Sequence, residues 1–561
     1  MGSPAKVIPT ASRGPHWSAK IAIAVLVPLL ILGIAEGALR VLGIGTPAGV
    51  TRLCRAQGHA AVCNNVFFTK PFFPNGMIRS PHPYAIPAAK PRGTFRIFVL
   101  GESAAYGDPD PAYGFSRYLE VMLRNRFPAM KFEVINTAAT AINSYVVLPI
   151  AEDMAQHQPD LFIIYTGNNE VIGPFGPGTV LTSPALSLPV IRTSIFVRST
   201  RIGQLLAKAT SPKQDPQEWR GMEMFLDKQV RADSPLMTRA YANFAANLHD
   251  MVAVARSSGA KVLVSTVATN LKDCAPFASS HRPGLKPDAL NSWTDLVQRG
   301  AQLQDSGSYA EALKLYLLAA EIDDSYAELQ FRIATCLWNL GNFPAAKDHY
   351  VRAQDLDTLR FRADTEMNNI MRSVAAAGGS GVELVDAQRL FAEHSDHGIP
   401  GSELLYEHVH LNPRGNYLLA HVLFSRIAGM LPPEAQRSAA GDDVPSQAEC
   451  ERLLAFTPYD RSRLAGEILQ RMFRPPFTNQ LNQKQQVQRL TLEAQPPSDS
   501  YEETVEQYRW AIAQNPEDHM LHLNFGLLLY DRDRISATQE FRSARPYDDI
   551  PFVAPDGTLI R

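Results

Sequence analysis

A chain of 561 residues, 45% hydrophobic and 20% charged, exceeds one ordinary domain and can bury a sizeable core. Its 54 basic residues are nearly matched by 56 acidic ones, so it lacks the basic excess of a nucleic-acid binder. There is no long low-complexity tract, and nothing in the balance restricts small neutral substrates.

The first element is apolar. Ile21 to Ala35 is broken only by one Gly and one Pro, and apolar residues continue past Glu36 and Arg40 to Ile44. This is about long enough to cross a hydrocarbon core of ~30 Å at about 1.5 Å per residue. Lys6, Arg13 and Lys20 precede it, so the positive-inside rule keeps residues 1–20 cytoplasmic and carries the rest across. Arg40, Arg52 and Arg55 pull the other way. A cleaved signal peptide and a buried helix are the rival readings. With no convincing A-x-A site after the run, an uncleaved single-pass anchor over 21–44 is the expectation, with the remainder extracytoplasmic. Of five cysteines, Cys54 and Cys63 lie close together just beyond the anchor. A local disulfide, suited to an extracytoplasmic compartment, and two free thiols both stay open.

Residues 45–93, rich in Pro, Phe and Gly without a clear period, read as a connector packed against the main domain. Beyond them apolar strands alternate with helices. FRIFVLG (95–101), KFEVIN (131–136), DLFIIYTG (160–167), AKVLVSTVA (260–268) and GVELVDA (381–387) are five strand candidates. Helical stretches are expected near 113–127, 145–157 and 237–258. The alternation predicts an α/β domain with a parallel sheet, in two parts over 94–293 and 361–431. The segment 172–236, Pro-rich at first, is expected to cover the sheet edge or the site.

Between strands four and five, 294–360 carries an internal repeat. Gly307 and Gly341, Tyr309 and Phe343, Ala312 and Ala346, Tyr316 and Tyr350, Ala319 and Ala353, and Asp323 and Asp357 each stand 34 residues apart. Small residues let paired helices approach, and aromatics fill the gap. The pattern resembles tetratricopeptide repeats, which implies an all-α insert with a face for a partner protein. Residues 501–546 have the same character through Tyr508, Ala511, Gly526, Ala537 and Phe541. About three repeats are usually needed for stability, so the insert should lean on 501–546 or on the α/β domain. Residues 432–500, punctuated by Pro432-Pro433 and Pro496-Pro497, read as a helical linker.

Chemistry gathers at three strand ends. Gly101-Glu102-Ser103 follows the first strand, at the carboxyl end where ligands of such sheets bind. Alone, a Ser there is usually a cap or turn residue. Thr166-Gly167-Asn168-Asn169-Glu170 ends the third strand, and an Asn facing the cleft would donate to a developing oxyanion. After the fifth strand comes Glu407-His408-Val409-His410. Three positions separate Glu407 from His410, which lets the carboxylate orient one imidazole nitrogen while the other faces Ser103. A metal site built on His408 and His410 is the competing reading, without an obvious third ligand.

Together, and in this order, these motifs resemble the SGNH (GDSL-like) hydrolase superfamily. The resemblance implies a flavodoxin-like three-layer sandwich with a parallel sheet, and hydrolysis of an acyl ester through an acyl-enzyme, or its transfer to a polysaccharide. It implies Ser103 as nucleophile, His410 as base and Glu407, in place of Asp, as its partner. Asn169 and the Ala141 N–H would serve the oxyanion. Ala141 falls where the family has Gly, and its N–H keeps that role if φ is negative. Glu102 and Glu170 also stand where Asp is usual. The Ala-rich second motif, GNNE and Asp273-Cys274-Ala275-Pro276-Phe277 are similar to a subgroup that joins a membrane anchor to tetratricopeptide repeats. The expected substrate is a small-molecule or glycan ester, and no cofactor is required. The alternative is a repeat scaffold carrying a degenerate hydrolase domain.

Overall fold

The structure, a computed structural model, describes residues 17–74, 76–182, 187–210, 219–441, 443–496, 499–550, 552–553 and 559–560. Lys6 and Arg13, which bear on the orientation of the first helix, lie outside these residues, as does Pro497. α1 (Trp17–Val41) contains a span, Lys20–Val41, of 22 residues with mean hydropathy 2.4 and no buried side chain. That length and composition suit a membrane span and equally a signal sequence.

Residues 45–93 are more than a connector. β1 (Thr51–Ala56) and β2 (His59–Asn64) form an antiparallel hairpin, and β3 (Ala85–Pro87) pairs with the free edge of β2. Gln57 and Gly58 both have positive φ, the two-residue turn whose twist matches a hairpin. Gln-Gly signals such a turn less clearly than Asn-Gly, which is why the strands escape a periodicity search. Cys54 and Cys63 are disulfide-bonded, 6.0 Å apart at Cα.

The main sheet holds β4 (Thr94–Gly101), β5 (Lys131–Asn136), β6 (Leu161–Tyr165), β7 (Lys261–Ser265) and β8 (Val382–Val385). All pair in parallel, in the order β5-β4-β6-β7-β8. β4 and β6 are buried at every position, as central strands covered on both faces should be. α2 (Ser103–Tyr106) and α3 (Phe115–Arg126) follow β4, and α4 (Ser144–Met154) follows β5. After β6 come α5 (Leu188–Ser199), α6 (Arg201–Thr210) and α7 (Pro235–Ser257).

The inserted helices are α8 (Pro287–Asp305), α9 (Tyr309–Ile322), α10 (Ala327–Asn339) and α11 (Phe343–Leu356), beginning ahead of position 294. α8 packs on α9 and α10 on α11. Gly300 lies so close to the Tyr316 ring that a Cβ would meet it at 2.6 Å. The two aspartates of the repeat are buried and reach the same loop after β7. Asp323 accepts from the Arg282 N–H and lies 2.8 Å from His281 Nδ1, while Asp357 accepts from the N–H groups of Phe277 and Ala278. The insert thus leans on the α/β domain.

α12 (Thr365–Ala377), absent from the sequence expectations, is the last crossover helix before β8; α13 (Ala387–Glu393) and α14 (Pro413–Met430) come after it. Crossovers between parallel strands are right-handed. The step from β4 to β5 runs one way and the later ones the other, so α3 lies on one face and α4, α7 and α12 on the opposite face. Packing agrees: α3 meets α14, while α7 meets both α4 and α12.

The C-terminal third is helical: α15 (Pro433–Arg437), α16 (Gln447–Leu453), α17 (Pro458–Met472), α18 (Gln483–Glu493), α19 (Tyr501–Gln514), α20 (His519–Leu529) and α21 (Arg534–Ser543). Gly526 sits against the Phe541 ring as Gly300 does against Tyr316, with 2.5 Å left for a Cβ. Helices α19, α20 and α21 have their own apolar cluster, separate from that of the insert, while α15 to α18 contribute to the core of the α/β domain. The first three dock elsewhere on the α/β domain, through Tyr113 Oη to Tyr508 Oη at 3.0 Å and an Arg117–Asp518 ion pair.

Gly101 fixes the junction that matters most. A Cβ there would lie 2.2 Å from the Tyr165 carbonyl oxygen and 2.5 Å from Ala105 Cβ. Gly101→Ala should therefore destabilise the protein by about 2–3 kcal/mol in denaturant unfolding, the usual scale of overpacking. Wild-type stability in that variant would mean that β4 and β6 separate more easily than this contact implies.

Candidate active site

The strand order turns back between β4 and β6: the crossover leaving β4 goes to β5, the one leaving β6 to β7. A crevice opens at the carboxyl ends on either side of such a point. Ser103 leaves β4 there as the first residue of α2, and Asn169 lies just beyond β6. Both line a cleft of about 420 Å³, together with Ala141, His408 and His410.

Two buried glutamates hold the loops around this cleft. The Glu102 carboxylate accepts from the Thr166 hydroxyl at 2.8 Å and from the N–H groups of Gly167, Asn168 and Asn169 at 3.0, 2.9 and 3.1 Å. Glu170 accepts from the Ser144 N–H and hydroxyl, both at 2.7 Å. Burial pushes both carboxyls above the ordinary range, and for Glu102 the nearby Glu170 adds to it. These side chains tie the end of β4 to the loop after β6, and that loop to the start of α4.

Ser103, His410 and Glu407 are brought together. His410 Nε2 lies 2.8 Å from Ser103 Oγ, and His410 Nδ1 is hydrogen-bonded to Glu407 Oε1. Glu407 Oε2 takes His408 Nδ1 and the His408 N–H. The extra methylene of Glu places one carboxylate between two imidazoles. Burial raises the Glu407 carboxyl, but the two histidines outweigh it and hold the group well below the usual carboxylate range. The sequence reading left a metal site without a third ligand. Glu407, His408 and His410 in fact present donor atoms within 4.8 Å of one another. Both carboxylate oxygens already accept hydrogen bonds from these imidazoles, so a cation would have to part both pairs.

The oxyanion side differs from expectation at one residue. Ala141 has φ of 59°, in the left-handed region, so the condition of negative φ is not met. The alanine keeps a backbone shape that suits glycine, at a cost of about 1–2 kcal/mol from its Cβ. Asn169 Nδ2 donates to the Ile142 carbonyl at 3.0 Å, which fixes the amide against the same loop.

Two residues that motif reading missed complete the site. Asp108 Oδ2 lies 3.3 Å from His410 Nε2. Arg471 of α17 grips Asp108 with two hydrogen bonds, at 2.9 and 2.6 Å. Residues 432–500 thus form a wall of the cleft as well as linking two regions, and Arg474, Pro475 and Phe477 line it too. From 172–236, Ile172, Trp219, Arg220, Met222 and Phe225 reach the cleft; 183–186 and 211–218 lie outside the described residues. An arginine on a distant helix carries no local signal, and Asp108 is recognisable only as an acid five residues past the serine.

Burial disfavours the His410 imidazolium, yet Glu407 and Asp108 outweigh it and raise the histidine above its ordinary value. Removing the negative charge at Asp108 destabilises the protonated ring, so its pKa must fall. NMR titration should place His410 above about 6.5 in the wild type and lower in Asp108→Asn. An unchanged or higher midpoint in the variant would show that Asp108 does not act on this ring.

No family model matches the chain, and no curated protein matches it. Solved structures similar over part of it include the following two. An acetyl xylan esterase, AlAXEase, shares 11% identity at a TM-score of 0.28, over 59% of this chain and 100% of that one. A lipase/acylhydrolase from Enterococcus faecalis shares 12% identity at a TM-score of 0.27, over 60% of this chain and 98% of its own length.

Proposed function

We propose that the chain is a serine-dependent ester hydrolase or acyl transferase of the SGNH type, with Ser103 as nucleophile and His410 as base. The observation that carries this is the continuous hydrogen-bonded run from Glu407 through His410 to Ser103 at the strand-order reversal. Ser103 Oγ attacks the ester carbonyl carbon and gives its proton to His410 Nε2. The imidazolium so formed lies between Glu407 and Asp108, both anionic. The oxyanion receives the Asn169 amide and the Ser103 N–H. Collapse expels the alcohol, which takes the proton from His410 and leaves Ser103 acylated. Water, or a sugar hydroxyl in transfer, then attacks with His410 again as base.

The flavodoxin-like reading is supported by the parallel β5-β4-β6-β7-β8 order, and the repeat reading by the matched Gly–aromatic contacts of the insert and of the C-terminal helices. The Cys54–Cys63 disulfide supports an oxidising, extracytoplasmic compartment for everything beyond α1. In this reading α1 is the anchor and 294–360 and 501–546 are tetratricopeptide-like.

A fluorophosphonate probe should label the wild type and fail to label a folded Ser103→Ala protein, with turnover of short p-nitrophenyl esters lost in parallel. Retained turnover in that variant would sink the nucleophile assignment, whereas a wild type with neither labelling nor turnover would favour the scaffold reading. Asn169→Ala should lower kcat by ~10²–10³-fold with a smaller change in KM, because an oxyanion donor acts in the transition state. A loss confined to KM would make Asn169 a substrate-binding residue.

A further inference from the structure

The cleft carries more positive charge than the chemistry at Ser103 uses. Among its described lining residues are four arginines, Arg79, Arg220, Arg471 and Arg474, against one acid, Asp108. Arg471 is committed to that acid by its two hydrogen bonds. Arg220 is mostly exposed and lies 3.3 Å from Glu223. Arg79 differs from both. Its guanidinium lies over the Trp219 ring, 4.0 Å from the centroid, and its Nε and Nη2 are shut off from solvent without a hydrogen-bond partner. Burial lowers its pKa, and Asp108 opposes that only from a distance.

A desolvated cation without a contacting anion is unfavourable, and proteins pair or solvate such groups. Arg79 is also held in place. Its N–H donates to Thr69 Oγ1 at 3.0 Å, the Thr69 hydroxyl donates back to the Arg79 carbonyl, and Thr69 itself is buried. With its backbone fixed in this way and its guanidinium over Trp219, the side chain lies on the cleft wall. Arg474, exposed on the same cleft, adds charge from α17's end. Phe225, Phe361 and Phe477 line the cleft between, and an apolar lining strengthens any ion pair formed there.

We propose that Arg79, assisted by Arg474, is an anion-binding site, and that the ester accepted at Ser103 bears a carboxylate, phosphate or sulfate group. The proposal rests on ester chemistry at Ser103, so binding is tested apart from turnover. Full-length Ser103→Ala protein is titrated with 4-acetoxybenzoate, 4-acetoxyphenyl phosphate, 4-acetoxyphenyl sulfate and the neutral methyl 4-acetoxybenzoate. At least one anion should bind at least about tenfold more tightly than the methyl ester, as expected of a charge-assisted guanidinium contact. Arg79→Gln should bring that ratio close to one, and Arg79→Lys, which keeps the charge, should retain most of it. Equal binding of all four compounds, or a preference that survives Arg79→Gln, overturns the proposal. If anions bind through Arg79 while the wild type cleaves none of the four, the anion site stands and ester cleavage at Ser103 falls.

Discussion

Four donors converge on one buried carboxylate, and the geometry of the cleft depends on that convergence. Glu102 adjoins Ser103 in the chain, and Asn169 is itself one of the residues whose N–H it accepts. Ser103 and Asn169 are thus referred to a common point, one covalent step away on one side and one hydrogen bond away on the other. Glu102 is buried, so leaving any of these contacts unmade costs more than it would at the surface. Glu170 extends the frame to Ser144, and through it to the loop that carries Ala141. Side chains placed this way need little reorganisation when charge develops beside them.

A second constraint acts on the histidine. Glu407 faces two imidazoles, and Asp108 approaches His410 from the Nε2 side. His410 therefore meets carboxylates at both nitrogens, while Arg471 keeps Asp108 ionised: burial raises that carboxyl, but His410 and Arg471 together hold it below its ordinary range. His408 is the contrasting neighbour. Buried against Phe277 and Phe477, it is lowered by desolvation and suited to remain neutral. Two histidines sharing one acid are in this way set apart by their surroundings.

Much of this was legible in the residue order. Buried apolar runs such as FRIFVLG and DLFIIYTG announce central parallel strands, because covered faces leave no polar alternation to read. Two of the three site motifs directly follow such strands, so their meeting is a consequence of topology, while Glu407 and His410 come from the loop beyond α13. The 34-residue offsets mark paired helices because Gly and Ala recur where aromatics must lie. The features that escaped have no local cause. Arg471 and Arg79 enter the cleft from outside the α/β domain, and their roles exist only once distant segments pack. The left-handed φ of Ala141 was hidden because alanine gives no hint of it, whereas glycine would have.

The cleft draws on widely separated stretches of chain: Arg79 precedes the sheet, and Asp108 and Arg471 stand 363 positions apart. At the usual pace of synthesis, about 5–20 residues per second, roughly half a minute separates the serine from the arginine that braces its surroundings. For most of that time Ser103 has no His410 beside it, and for all of it Asp108 lacks Arg471. In a chain laid down in this order the meeting of Ser103 with His410 comes late, and the bracing of Asp108 later still, with the helices beyond the sheet.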